Sequence, residues 1–157
     1  MNATTRRAAI TGIGTLGPLG QDVDSFARAL RRGDCGIGPI QAFDASMFRC
    51  QVAAELTDFD PSAWLSADEM AEYHDPYAWM AIAAVRQALA DAGLGDDWDH
   101  DRRVALVVGT CNGGLRTAER LYRQLFGLEE GELDTRMNLL FRYFALGRAL
   151  GNVLRVG

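Results

Sequence analysis

The run RRVALVVGT, residues 102–110, constrains the fold more than any other stretch of the chain. Val104–Val108 is continuously apolar, without the in–out alternation of a strand wetted on one face. That is the pattern of a strand covered on both sides. Residues 6–13, RRAAITGI, read as a second buried strand that ends at a glycine-rich turn. Such strands need helices above and below them, and the sequence supplies helical patterns between them. The expectation is a parallel, layered α/β sheet.

From Asp22 onward Val23, Phe26, Ala27 and Leu30 recur at helical spacing, and Gly33 closes the segment. GIGPIQAFD (36–44) reads as a loop, and FRCQVAAEL (48–56) as a short strand. Ser66 and Glu69 have the spacing of a capping box at the start of a short helix. A longer helix follows Pro76 and runs to a stop at Gly93. GDDWDHD (95–101) reads as an exposed connection. Leu115 to Phe126 is amphipathic, with Leu115, Ala118, Leu121, Tyr122 and Leu125 on one side. GLEEGELD (127–134) breaks that pattern, and a last helix is predicted from Asn138 to about Leu150. No internal repeat or domain boundary interrupts residues 1–157, so a single domain is expected.

Charge and composition exclude several chemistries. A net charge of −5 argues against general nucleic-acid binding. All 16 basic residues are Arg, so a lysine Schiff base, a lysine general base and a P-loop lysine are all ruled out within the chain. Cys35, Cys50 and Cys111 are an odd count with no C-x-x-C pair, which points to free thiols in a reducing compartment. The opening MNATTRRAAITGIG is neither a signal peptide nor a membrane span, and a cytoplasmic location is expected.

Four constellations invite functional readings. Gly12-Ile13-Gly14-Thr15-Leu16-Gly17 fits G-x-G-x-x-G, but a dinucleotide loop also needs a helix opening inside the motif. Here Pro18 follows the last glycine and the helix waits until Asp22, so a plain glycine-rich turn is expected. Asp97, Asp99 and Asp101 alternate like a calcium loop, yet its sixth position is Arg102 and its twelfth is Val108. His74 and His100 have no metal-ligand spacing, so no metal site is expected. Strand, G-T-C-N-G, helix around Cys111 has the layout of a nucleophile elbow. That elbow takes its base from a later His, and no His or Lys follows Cys111.

Five segments in order resemble the N-terminal part of a β-ketoacyl synthase. They are RRAAITGIGTLGPLG (6–20), FARALRRGDCGIGPIQAFDAS (26–46), AAELTDFDP (53–61), AIAAVRQALADAGL (81–94) and RVALVVGTCNGGLRTAE (103–119). GRALGNVLRVG (147–157) is similar to the helix and turn that follow. The resemblance implies a thiolase-like layered α/β/α fold, of which this chain holds an incomplete N-terminal half. It implies transfer of an acyl group from acyl carrier protein to a cysteine, then decarboxylative condensation with a malonyl group. It implies no cofactor of the chain's own, since phosphopantetheine arrives on the carrier protein, and a dimer when the enzyme is complete.

Matched to the family's G-T-G-x-G-G loop, Cys111, Asn112 and Gly113 are candidate residues bordering an acyl pocket. Asn112 takes a position usually apolar, where a polar group favours a short or polar acyl chain; a turn-forming Asn is the other reading. Cys111 stands where the family has glycine. The family's nucleophilic Cys, its two histidines and its lysine belong to motifs beyond Gly157, so no catalytic residue is expected here. The acidic ADEMAEYHD (67–75) replaces a stretch commonly basic. The expected partners are acyl carrier protein and either the rest of a synthase or a second synthase subunit. Two alternatives stay open: a non-catalytic partner resembling a chain-length factor, and a Cys hydrolase or amidotransferase using Cys111.

Overall fold

The computed structural model describes residues 7–95, 103–128 and 143–155. In chain order it contains α1 (Val23–Arg32), β1 (Gly38–Pro39), β2 (Val52–Ala53), a single 3₁₀ turn (Pro61–Ala63), α2 (Ala67–Glu72), α3 (Pro76–Asp91), α4 (Leu115–Leu125) and α5 (Tyr143–Leu154).

The helices begin and end where local chemistry tells them to. Asp22 accepts the Ser25 amide at 2.7 Å and Ser25 Oγ accepts the Asp22 amide, which closes the first turn of α1. At its far end Gly33 takes a left-handed conformation. Ser66 and Glu69 form the expected reciprocal box at the start of α2. Asp75 caps α3 and Pro76 occupies its first position, where the missing N–H costs nothing. The predicted last helix is observed as Tyr143–Leu154; residues 138–142 of that prediction lie outside the described residues.

The core lies between α3 and α5. Ile82 is fully buried, and around it pack Leu65, Tyr73, Ala78, Leu146, Ala149 and Leu150. The alanines let the two helices approach closely. Asn152 on α5 donates to the Tyr73 hydroxyl at 3.2 Å, which adds a polar tie at the edge of this contact. Glu69 fastens α2 to α3 through Arg86, whose Nη2 lies 2.6 Å from Glu69 Oε1. Arg86 also donates to the Trp64 carbonyl.

The strands differ from expectation. The only ladder among the described residues is antiparallel, pairing Gly38 with Ala53 and Pro39 with Val52. Residues 48–56 thus do contain a strand, but a two-residue one, prolonged by an Ile40 amide bond to the Gln51 carbonyl at 3.0 Å. Residues 7–13 and 103–110 form no ladder. A strand exists only as half of a hydrogen-bonded pair, and neither run is paired with another described segment. Val107 is consequently 91% exposed.

Residues 12–15 lie instead against α3. Two of their amides are held by its side chains: Ile13 N donates to Asp91 Oδ2 at 2.9 Å and Thr15 N to Gln87 Oε1 at 3.2 Å. Gln87 in turn donates to the Gln21 carbonyl at 2.7 Å.

Candidate functional site

The loop Gly109–Gly114 is built to make a sharp entry into α4. Thr110 Oγ1 accepts the Gly113 amide at 3.1 Å, which curls the chain. Gly114 then takes φ 83°, a left-handed conformation that suits glycine, and stands as the N-cap of α4. A glycine cap has no side chain to satisfy the first-turn amides. Asp75 does so from outside the helix. Its Oδ2 accepts both the Thr117 amide at 3.0 Å and the Thr117 hydroxyl at 2.8 Å. Its Oδ1 accepts the Tyr77 amide of α3 at 3.3 Å. One carboxylate, 5% exposed, therefore closes two helix N-termini.

Tyr77 supports the same loop. A Cβ on Gly113 would stand 2.7 Å from both Tyr77 Cε2 and Thr110 Oγ1, so a larger residue there would have to displace the ring or the hydroxyl. Burial, and then the neighbouring Asp75 carboxylate, push the Tyr77 phenol above its ordinary value, so it stays neutral at pH 7.

Beside this junction lies a cavity of about 630 Å³. Leu56, Phe59, Tyr77, Trp79, Met80 and Leu115 give it a mainly apolar wall, and Asn112 and Gly114 are the loop residues that line it. Glu55 also lines the cavity, but its carboxylate is engaged by the Gln41 and Ala42 amides at 2.8 and 3.2 Å. The wall is mainly apolar, with Gln41, Thr57, Asp75, Asn112 and Arg116 as its other polar members.

The three loop residues singled out by sequence thus have different places. Asn112 lines the cavity, Gly113 lies against Tyr77, and Cys111 is exposed and outside the lining. Cys111, Cys35 and Cys50 are all exposed and in no disulfide, and the Cys35 and Cys50 thiols donate to the Ile37 and Val52 carbonyls. His74 lines a separate small cleft with Arg116, Thr117 and Arg120. His100, Asp97, Asp99 and Asp101 lie outside the described residues, and no metal-ligating cluster occurs among those described. The G-x-G-x-x-G stretch opens no helix; Gly17 and Gly20 pair with each other across a tight turn, with both N···O distances 3.0 Å. Asp75 and Tyr77 were not singled out as site residues. The Asp-Pro pair betrays a local cap, but nothing in the sequence signals a bond to Thr117.

Helices, a short ladder and a glycine loop entering α4 together correspond to part of a thiolase-like α/β fold. A solved structure, "The ishigamide ketosynthase/chain length factor", superposes with a TM-score of 0.78 at 29% identity, covering 93% of this chain and 36% of that one. The chain belongs to the β-ketoacyl synthase family: residues 5–138 match "Beta-ketoacyl synthase, N-terminal domain". The 3-oxoacyl-[acyl-carrier-protein] synthase 2 of Coxiella burnetii is 38% identical over 76% of this chain and 29% of its own length. A "Putative polyketide beta-ketoacyl synthase 1" of Streptomyces halstedii is 37% identical over 75% of this chain and 28% of its own. The chain therefore spans under a third of the length of these relatives. None of the helices among the described residues is long and apolar enough to cross a membrane.

Proposed function

We propose that this chain is the N-terminal segment of a β-ketoacyl-ACP synthase and supplies part of the wall of its acyl pocket. In the whole enzyme an acyl group moves from acyl carrier protein to a cysteine thiolate. Loss of CO₂ from malonyl-ACP leaves a carbanion, which attacks the acyl thioester carbonyl and expels the thiolate. Residues of this chain do none of the bond-making. Leu56, Phe59, Trp79 and Met80 exclude water from an apolar guest, and Asn112 sets how much of that guest is accepted. The Asn112 amide in this mainly apolar wall favours a short or polar acyl chain, because a longer alkyl group would desolvate it unpaired.

The observation that carries this reading is the coincidence of the family's glycine loop with a mainly apolar cavity lined by Asn112. The partners are acyl carrier protein, which brings its own phosphopantetheine, and the polypeptide that holds the nucleophile, either the remainder of a synthase or a second subunit, joined as a dimer in the cytoplasm. The test is a chimera in which residues 1–157 replace the matching part of the Coxiella burnetii synthase. The chimera is expected to form β-ketoacyl-ACP while residues 1–157 alone form none. A folded chimera without product, beside an active parent, overturns the proposal.

One observation favours a second reading, a non-catalytic partner resembling a chain-length factor: the solved structural neighbour is itself named for a ketosynthase and a chain length factor together. Copurification of residues 1–157 with an active full-length synthase, together with an inactive chimera, would support it.

A further inference from the structure

We infer that Asp75 is the positioning residue for the Asn112 loop, fixing where that amide stands in the cavity wall; the functional weight of this rests on the acyl-pocket reading above. The loop has one internal tie, the Thr110 hydroxyl to the Gly113 amide, and its last residue, Gly114, offers α4 no capping side chain. What holds the loop relative to the rest of the chain is the first turn of α3. Asp75 holds Thr117, three residues beyond the glycine cap, and Tyr77 lies under Gly113. Asn112 directly precedes Gly113, the first of the two anchored positions, and Asp75 and Tyr77 line the same cavity as Asn112. The two anchors come from adjacent parts of one rigid turn, so displacing α4 from α3 also displaces Asn112.

The bond has the character that such a role needs. Asp75 and Thr117 are 5% and 6% exposed, so water does not replace a lost partner. The carboxylate spends both oxygens on donors from two helices, 42 residues apart in the chain at the Thr117 contact. A side chain needed only to start α3 would require one oxygen. Asp75 acts through Thr117 and the loop and touches no reacting atom, so its effect is on which acyl groups fit.

Hydrogen–deuterium exchange of the full 157-residue chain tests the inference without any acyl ligand, so its outcome is separate from that of the condensation assay. Asp75→Ala is expected to raise exchange at residues 110–118 about tenfold, with the amides of α1 unchanged. Thr117→Val, which removes only the hydroxyl bond, is expected to raise exchange over the same residues by a smaller factor, and Thr117→Ser to restore protection. Asp75→Asn, which keeps an acceptor oxygen, is expected to recover part of it. Unchanged exchange at 110–118 overturns the inference. So does a rise shared equally by α1, which marks Asp75 as a general support of the fold.

Discussion

Gly12 passes so close to Ala88 that a Cβ on it would stand 2.1 Å from the Ala88 carbonyl oxygen. Gly14 repeats the approach one turn earlier on α3, with 1.9 Å to the Ala84 carbonyl oxygen. Both obstacles are helix backbone, which cannot swing aside as a side chain does. The glycines of the G-x-G stretch are therefore spent on packing against α3, and the Ile13 and Thr15 amides that follow them are held by Asp91 and Gln87. Gly14→Ala is expected to destabilise the chain by about 1–3 kcal/mol, read as a lowered melting temperature. Gly17→Ala, where nothing lies within 4 Å of the added carbon, is the control and is expected to stay within about 0.5 kcal/mol of wild type. Equal effects of the two substitutions would contradict this packing.

Glu69 predicts an acid limb in the stability of the chain. Burial pushes its carboxyl up, but hydrogen bonds from Arg86 and Ser66 outweigh that and hold it below its ordinary value. A group whose folded value is depressed stabilises the fold above its unfolded value. That contribution is lost as pH falls through the folded value. Glu69→Gln is thus expected to lower the urea midpoint at pH 7 and to flatten its decline below about pH 4.3. Asp22, Asp44 and Asp60 are also held low and remain in the variant, so the difference between the two proteins is what matters. Parallel acid limbs would show that the Glu69–Arg86 pair contributes nothing.

Ile82 carries the contact between α3 and α5, being fully buried among Ala78, Leu146 and Ala149. Ile82→Ala is expected to cost about 2–5 kcal/mol, a large share of the margin of a small domain. Chemical denaturation monitored at the α-helical circular dichroism signal measures it. A cost under about 1 kcal/mol would mean that the helices do not pack through this residue.

The unpaired run 103–108 predicts self-association. Val104, Leu106 and Val107 are all exposed, and the backbone groups of this run are in no ladder. Such a segment recruits other chains. Residues 1–157 expressed alone are expected to be poorly soluble, with scattering that grows with concentration. Val107→Arg is expected to reduce the association without loss of helical signal. A chain that stays a monodisperse monomer as its concentration rises contradicts the expectation.

The contrast between helices and strands shows what the sequence makes legible. Asp22, the Ser66–Glu69 box, the Asp75-Pro76 start and the Gly33 stop act within a few residues, so a reader of the chain meets every partner at once. The apolar runs at 6–13 and 102–110 announce strands just as clearly, but a ladder is a property of two segments, and only one is visible in each run. The glycine loop itself was legible by family pattern, and Asn112 is among the residues that line the cavity. The bond from Asp75 to Thr117 and the passage of Gly12 over Ala88 were not, because each joins positions whose proximity only the folded chain creates.

The central claim is that this chain shapes an acyl pocket without holding the thiol that carries the acyl group. Intact-mass measurement after incubating residues 1–157 with acyl-ACP and malonyl-ACP tests it most directly. The account expects an unchanged mass and no β-ketoacyl-ACP. A stable acyl adduct mapped to Cys111, or condensation product formed by this chain alone, contradicts it.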